Sequence, residues 1–267
     1  MCGRFTLRAA SSVVAEHFAL FELPPFTPRF NIAPTQPVPV IRLAPGTVPV
    51  FAGTMRSMVA KTGLSPSDDE RRSAPRRELV FLRWGLIPAW AKDPSIGNRM
   101  INARAETVAE KPAFRTALRK RRCLLAADGF YEWQAGGRRK QPYFIRLRDD
   151  RPFAFAGLWE MWEERRGDGT GTGPNLAADS GPVPVRSIES CTLLTTGPND
   201  LMRPIHDRMP AILAPDDYAA WLDPAVQEPT QLLPLLRPYP SEAMVAYPVG
   251  TLVNSPANDV PECVAQM

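Results

Sequence analysis

Histidine is nearly missing from this 267-residue chain, which has only His17 and His206. Its four cysteines, Cys2, Cys123, Cys191 and Cys263, form no CxxC pair. A zinc site built from such residues is therefore not expected, and no motif calls for a metal or a cofactor. Cys123 and Cys191 lie in apolar runs and read as reduced core residues. Lysine is scarce as well, limited to Lys61, Lys92, Lys111, Lys120 and Lys140. No apolar run reaches the roughly 20 residues of a membrane helix, and no hydrophobic signal segment opens the chain. The expectation is a soluble, cytoplasmic protein without a membrane partner.

Proline is the residue in excess: 30 of 267, about 11%, against a usual ~5%. It implies short strands and irregular connections rather than long helices. Hydrophobic residues make up 44%, enough for a sizeable core, and the net charge is +4. Arginine carries most of the positive charge. Its planar fork suits phosphate, which hints at nucleic acid, but GC-rich coding produces the same bias and weighs more heavily.

Along the chain, Ser11 or Ser12 can cap a helix with Val14, Phe18 and Phe21 on its apolar face, stopped at Pro24-Pro25. His17 lies on that helix. ELVFLRWGLIPAW (78–90) begins as a buried strand and breaks at Gly85 and Pro88. A helix carrying Phe114 and Leu118 follows Pro112. Residues 122–133 and 141–149 read as a hairpin about Gly136-Gly137. Further strands are expected at 152–162, 187–199 and after 205, and a helix at 214–222. Residues 61–78 are charged and aperiodic, and 164–185 are rich in Gly, Asp and Pro, so both read as surface loops. No linker separates two self-sufficient halves, so residues 2–267 read as one α+β domain.

Several residues carry possible chemistry. Cys2 follows the initiator Met1 and is small enough for Met1 to be removed. The new α-amine and the thiol, with ordinary pKa values of about 8 and 8.5, are both nucleophiles near neutral pH. Together they form a 1,2-aminothiol, which condenses with an aldehyde to a Schiff base and closes to a thiazolidine. A cysteine at position 2 also occurs by chance, and MCGRF alone leaves the two readings even. His206, in the proline-clamped IHDRMP, can act as acid or base or simply bond a carbonyl. Glu132, in DGFYEW, is a carboxylate among rings. On a strand it faces the same side as Phe130, with Tyr131 and Trp133 opposite. Such a group has a raised pKa or pairs with an arginine. Asn102, Arg104 and Glu106 alternate in INARAET. Arg4, Arg104 and Arg208 offer guanidiniums to phosphates, and Trp84 and Trp90 offer rings to bases or to the core.

Taken together and in order, MCGRF, RFNIAPTQ, WGLIPAW, INARAET, ADGFYEW with KQPYF, and IHDRMP resemble the SOS-response-associated peptidase (SRAP) family, the abasic-site processing proteins. The resemblance covers residues 2–222. It implies a mostly antiparallel, bifurcated β-sheet folded into a pseudo-barrel with short peripheral helices. It also implies that Cys2 forms a thiazolidine crosslink with an abasic site in single-stranded DNA. In that reading Asn102 positions Cys2, Glu132 shuttles protons and His206 assists. Arg4, Asn31, Trp90, Arg104 and Arg208 line the DNA path. The protein would be a monomer that joins the nucleoid when bound to DNA. Departures are Asn98-Arg99 ahead of the NAR motif, Ala91 where a second aromatic can follow Trp90, and the two enlarged loops. The resemblance also allows a Schiff-base lyase activity beside the crosslink; competing readings are an N-terminal-cysteine amidohydrolase, a thiol peptidase confined to self-processing and a non-catalytic single-strand-binding module.

Overall fold

Apolar runs cut short by proline become strands here, because each is long enough to cross a sheet but too short for a stable helix. A computed structural model describes residues 2–44, 76–136, 139–164 and 186–267. All but the first residue of the expected loop at 164–185 and nearly all of that at 61–78 lie outside the described residues, although Arg77 and Glu78 already belong to a strand.

The strands before the reactive motifs are β1 (Arg4–Leu7), β2 (Arg29–Ile32), β3 (Pro37–Leu43) and β4 (Arg77–Trp84). A three-residue β5 (Asn102–Arg104) precedes β6 (Arg122–Ala127), β7 (Gly129–Gln134), β8 (Gln141–Leu147) and β9 (Phe153–Glu163). Then come β10 (Ser187–Thr196), the very short β11 (Met209–Pro210) and β12 (Ile212–Leu213), and β13 (Met244–Pro248). β10 pairs with β4, β4 with β3, β3 with β6, β6 with β9, and β9 returns to β10. The ring closes a five-stranded barrel in which only β4–β10 is parallel. β5 adds to β10, also in parallel, next to the β4 contact. A second, wholly antiparallel sheet runs β13-β8-β7-β1-β2. The α+β class and the antiparallel pseudo-barrel implied by the resemblance are both present.

The bifurcation falls inside what the sequence suggests is one strand, 122–133. β6 belongs to the barrel and β7 to the other sheet, and the break is Asp128. Its buried carboxylate accepts from the Thr6 hydroxyl at 2.6 Å, the Ala9 N–H at 2.8 Å, the Arg8 Nε at 3.1 Å and the Arg8 backbone N–H. Its own N–H donates to the Thr6 carbonyl at 2.9 Å. The exit of β1 is therefore tied to the point where the sheets part. Gly129 follows because a Cβ there would lie 2.2 Å from the Phe144 ring. On β7, Phe130 packs into the main core, whereas Tyr131 and Trp133 join a separate cluster with Phe144 and Val249.

The helices are short. The first spans Ser11–Phe18 and is flanked by Ala10, with no side-chain cap from Ser11 or Ser12. It ends where Ala19 turns left-handed at φ 52°, before the prolines. Phe21 therefore leaves the helical face and is 84% exposed, while Val14 and Phe18 are buried as expected. The helix after Pro112 spans Arg115–Lys120, and the one expected at 214–222 is a 3-10 turn, Pro215–Asp217, followed by Tyr218–Leu222. Among the described residues no helix is long and apolar enough to cross a membrane. Cys123 and Cys191 are buried free thiols in the barrel wall.

Removing the Asp128 carboxylate leaves several buried donors without an acceptor, so Asp128→Ala is expected to destabilise the fold by about 3 kcal/mol or more. Urea unfolding measures this, and a loss under about 1 kcal/mol would contradict the pinning role.

Candidate active site around Cys2

β1 is an inner strand of its sheet, paired with β7 on one side and β2 on the other, so the chain before it is drawn into the interior. Phe5 anchors it, edge-on to Trp84 at 5.2 Å and to Phe155 at 5.7 Å. Cys2 is fully buried, and its thiol donates to the Arg4 carbonyl at 3.7 Å. Burial pushes the thiol pKa well above its ordinary range, and the nearby Glu132 carboxylate pushes it further. The sulfur is thus held as a thiol at neutral pH.

Asn102 comes from across the barrel rim. Its strand is set by parallel pairing of Asn102, Ala103 and Arg104 with Leu193, Leu194 and Thr195. Trp84, buried rather than available to a base, donates from Nε1 to the Ile101 carbonyl at 2.8 Å. Asn102 Nδ2 then donates to the Cys2 carbonyl at 2.7 Å. Its Oδ1 is buried and has no hydrogen-bond partner among the described residues.

Glu132 sits mid-strand on β7, opposite Tyr143, and is 2% exposed. Desolvation pushes its pKa up to about 7, against the pull of the positive amino terminus and the Trp133 backbone N–H. His206 Nε2 stands 3.9 Å from Glu132 Oε2. His206 Nδ1 accepts the Arg208 backbone N–H at 3.0 Å, which puts the proton of the neutral ring on Nε2, toward Glu132. The same Nδ1 lies 2.8 Å from an Asp207 carboxylate oxygen, a contact that suits the protonated ring instead. Burial, then the positive amino terminus, lower the His206 pKa, partly offset by Asp207. The imidazole can therefore change state with modest rearrangement. A groove of about 460 Å³ bordered by His206, Asp207, Arg203, Trp133 and Lys140 opens this corner to solvent.

The expected DNA-contacting residues divide. Trp90 is 52% exposed on a rigid loop that begins at Gly85, whose φ is +124° and whose missing Cβ would meet the Gly97 carbonyl oxygen at 2.5 Å. The Trp162 indole donates to the Ala91 carbonyl at 2.7 Å and fixes the same loop. Arg104 is exposed. Arg208 is gripped by Glu106 in a fork, at 2.6 and 2.9 Å, and donates to the Thr195 carbonyl at 2.7 Å. Arg4 donates to Asn31 Oδ1 at 2.8 Å and to the Val253 carbonyl at 2.7 Å. Asn31 is wholly buried, its amide spent on the carbonyls of Val253, Ser255 and Asn258. In this structure its side chain supports Arg4 and faces the protein interior.

Two features escaped the sequence reading. Gln134, two residues beyond Glu132 on β7, donates to the Pro204 carbonyl at 2.8 Å and ties the His206 loop to the strand that carries Glu132. The irregular tail is the second. Asp259 accepts from the Phe30 N–H at 2.5 Å, the Asn31 N–H at 2.8 Å and the Arg29 Nε. The cluster of Asn and Asp in NSPAND (254–259) was the available signal, since such residues favour hydrogen-bonded turns.

Close to the amino terminus, then, Cys2 is held through its carbonyl by Asn102 and lies near the buried Glu132, which is itself 3.9 Å from His206. The chain belongs to the SOS response associated peptidase (SRAP) family, whose model matches residues 1–256. It is 38% identical over 268 residues to the abasic site processing protein YoqW of Bacillus subtilis, with 99% of each chain covered. It is 34% identical over 211 residues to the abasic site processing protein HMCES of Xenopus tropicalis, covering 71% of this chain and 57% of that one. A crystal structure of a Bacteroides thetaiotaomicron protein superposes with a TM-score of 0.73 at 25% identity, covering 100% of both chains.

Glu132 yields a pH prediction. Its folded pKa is raised, so the neutral form favours folding; that stability is complete below about 4.5 and is lost as pH rises through about 7. A shift of this size corresponds to about 3 kcal/mol. Glu132→Gln, which stays neutral, should gain stability over the parent at pH 8 and gain nothing at pH 4. Thermal melts across that range test it, and equal gains at both ends would refute the raised pKa.

Proposed function

We propose that this protein processes abasic sites in single-stranded DNA by closing a thiazolidine between Cys2 and the aldehyde of the baseless sugar. The carrying observation is the convergence on residue 2. Asn102 grips the Cys2 carbonyl at 2.7 Å, while the Glu132 carboxyl and the His206 ring stand together beside it. The names of its relatives support the same substrate.

Removal of Met1 comes first, because it turns a peptide nitrogen into a primary amine. With its carbonyl already fixed by Asn102, Cys2 offers that amine in one orientation, which removes much of the entropic barrier. The abasic sugar is mainly a cyclic hemiacetal. Opening it takes a proton from the C1′ hydroxyl and gives one to the ring oxygen, and a carboxyl with pKa near 7 does both near neutral pH. The amine then attacks C1′, the resulting carbinolamine loses water as its oxygen is protonated, and a Schiff base forms. Cys2 Sγ adds to the same carbon and its proton ends on the nitrogen, so one water is released overall. Because burial keeps the sulfur protonated, the amine is the first nucleophile and the thiol the second. The same burial speaks against an amidohydrolase, whose sulfur must attack first as a thiolate. Exposed Trp90 and Arg104 meet the strand, with Arg4 and Arg208 reaching it from their protein anchors.

Incubating the Met1-free protein with an oligonucleotide bearing one abasic site should give a denaturant-resistant adduct on a gel. Cys2→Ser and undamaged DNA should give none, and Glu132→Gln should slow the reaction by roughly 10²–10⁴-fold. An adduct formed by Cys2→Ser at the parental rate would overturn the proposal, as would glutamine hydrolysis with no adduct.

A further inference from the structure

The β7–β8 hairpin has a second groove, of about 520 Å³, walled by Trp133, Arg139, Lys140, Thr251 and Asn254. Trp133 and Lys140 border both this groove and the one containing His206, so the two depressions meet along one ridge. We propose that the Arg139–Lys140 groove is a backbone subsite that takes the phosphodiesters of nucleotides on one side only of the reacting sugar. This deepens the single-strand reading above and rests on it.

Its chemistry favours a polyanion. Among the described residues no carboxylate borders it, in contrast to the His206 groove, where Asp207 does. Arg139 and Lys140 are both exposed, and among the described residues neither has a hydrogen-bond or ion-pair partner. Arg42, Arg121 and Arg122, by contrast, are all committed to carboxylates or carbonyls. Thr251 and Asn254 add side chains that can donate to phosphate oxygens. Such a set reads charge and spacing but no base edge, as a sequence-independent strand path requires.

The wall is also built in advance. The Trp133 indole donates to Asn254 Oδ1 at 2.8 Å, which fixes the ring. Arg4 lies 6.0 Å from the centre of that ring and donates to the Asn254 carbonyl at 3.2 Å. Arg4 begins β1, two residues after Cys2, so the groove and the reactive strand share one framework. A strand whose sugar reaches Cys2 past His206 can continue over the ridge into the groove. Its volume falls within the range of small-ligand sites, enough for about one nucleotide.

The test uses the full chain with both cations reversed, Arg139→Glu with Lys140→Glu, at exposed positions where folding is not at stake. Two oligonucleotides carry the abasic sugar at opposite ends, so that one has only a 5′ flank and the other only a 3′ flank. The double variant should crosslink one of them at least about 10-fold more slowly and the other within about twofold of the parent. For undamaged single strands, followed by fluorescence anisotropy, binding should weaken and the salt slope should fall by about 1.4, from about 0.7 per phosphate contact. Equal loss for both flanks, or no loss for either, overturns the subsite. Loss of inorganic phosphate or mononucleotide binding with strand binding unchanged would also overturn it, in favour of a free-phosphate site. If even the parent forms no adduct, the Cys2 chemistry fails, and the anisotropy measurement still decides the groove by itself.

Discussion

The Asp128 carboxylate holds together everything this site needs. β1 must lie in one sheet while the residues that serve it come from two, and the place where the sheets part is a single buried acid. Thr6, Arg8 and Ala9 all donate to it, so the strand that starts just after Cys2 leaves the junction in one register. Phe5, wedged between Trp84 and Phe155, fixes the same strand from the core side. Asn102 can then reach the Cys2 carbonyl from β5, and Glu132 can face residue 2 from β7. The tail completes the arrangement through Asp259 and the carbonyls that hold Asn31 and Arg4.

Burial does two opposite-looking jobs at this point. It keeps the Cys2 sulfur protonated, so the residue is not a general-purpose thiolate. It also raises Glu132 to about 7, which suits the proton transfers proposed for that carboxyl near neutral pH. An environment that quiets a thiol and tunes an acid supports the proposed order, amine first and sulfur second. His206 has one face to Glu132 and the other to Asp207 and the Arg208 N–H, an arrangement that supports the proton relay proposed for it.

Much of this was legible in the sequence because it was local. The alternation in GFYEWQ put Phe130 and Glu132 on one face and Tyr131 and Trp133 on the other, and the strand does so. Gly85 and Pro88 ended β4 for steric reasons that a sequence displays. The bifurcation was not legible, since 122–133 is an unbroken apolar run with one Asp, and nothing local reveals that this Asp collects donors from residues 6–9. Phe21 was misplaced because Ala19, a good helix former, adopts the left-handed conformation that ends the helix two residues earlier. The Asn31 amide donates to carbonyls more than 200 positions away in the tail, pairings that no local pattern displays. The grip of Glu106 on Arg208 and the tether from Gln134 to Pro204 are likewise long-range pairings with no local pattern.

Whether Cys2 reacts through its amine and its sulfur together is decided by the bonding in the purified adduct. A thiazolidine and a Schiff base have the same mass, each being protein plus DNA less one water, so the distinction must be chemical. If the ring has closed, the isolated Cys2 peptide adduct resists borohydride reduction and its sulfur takes up no iodoacetamide. An adduct that gains two hydrogens with borohydride and alkylates at sulfur would be an open Schiff base, and would contradict the claim.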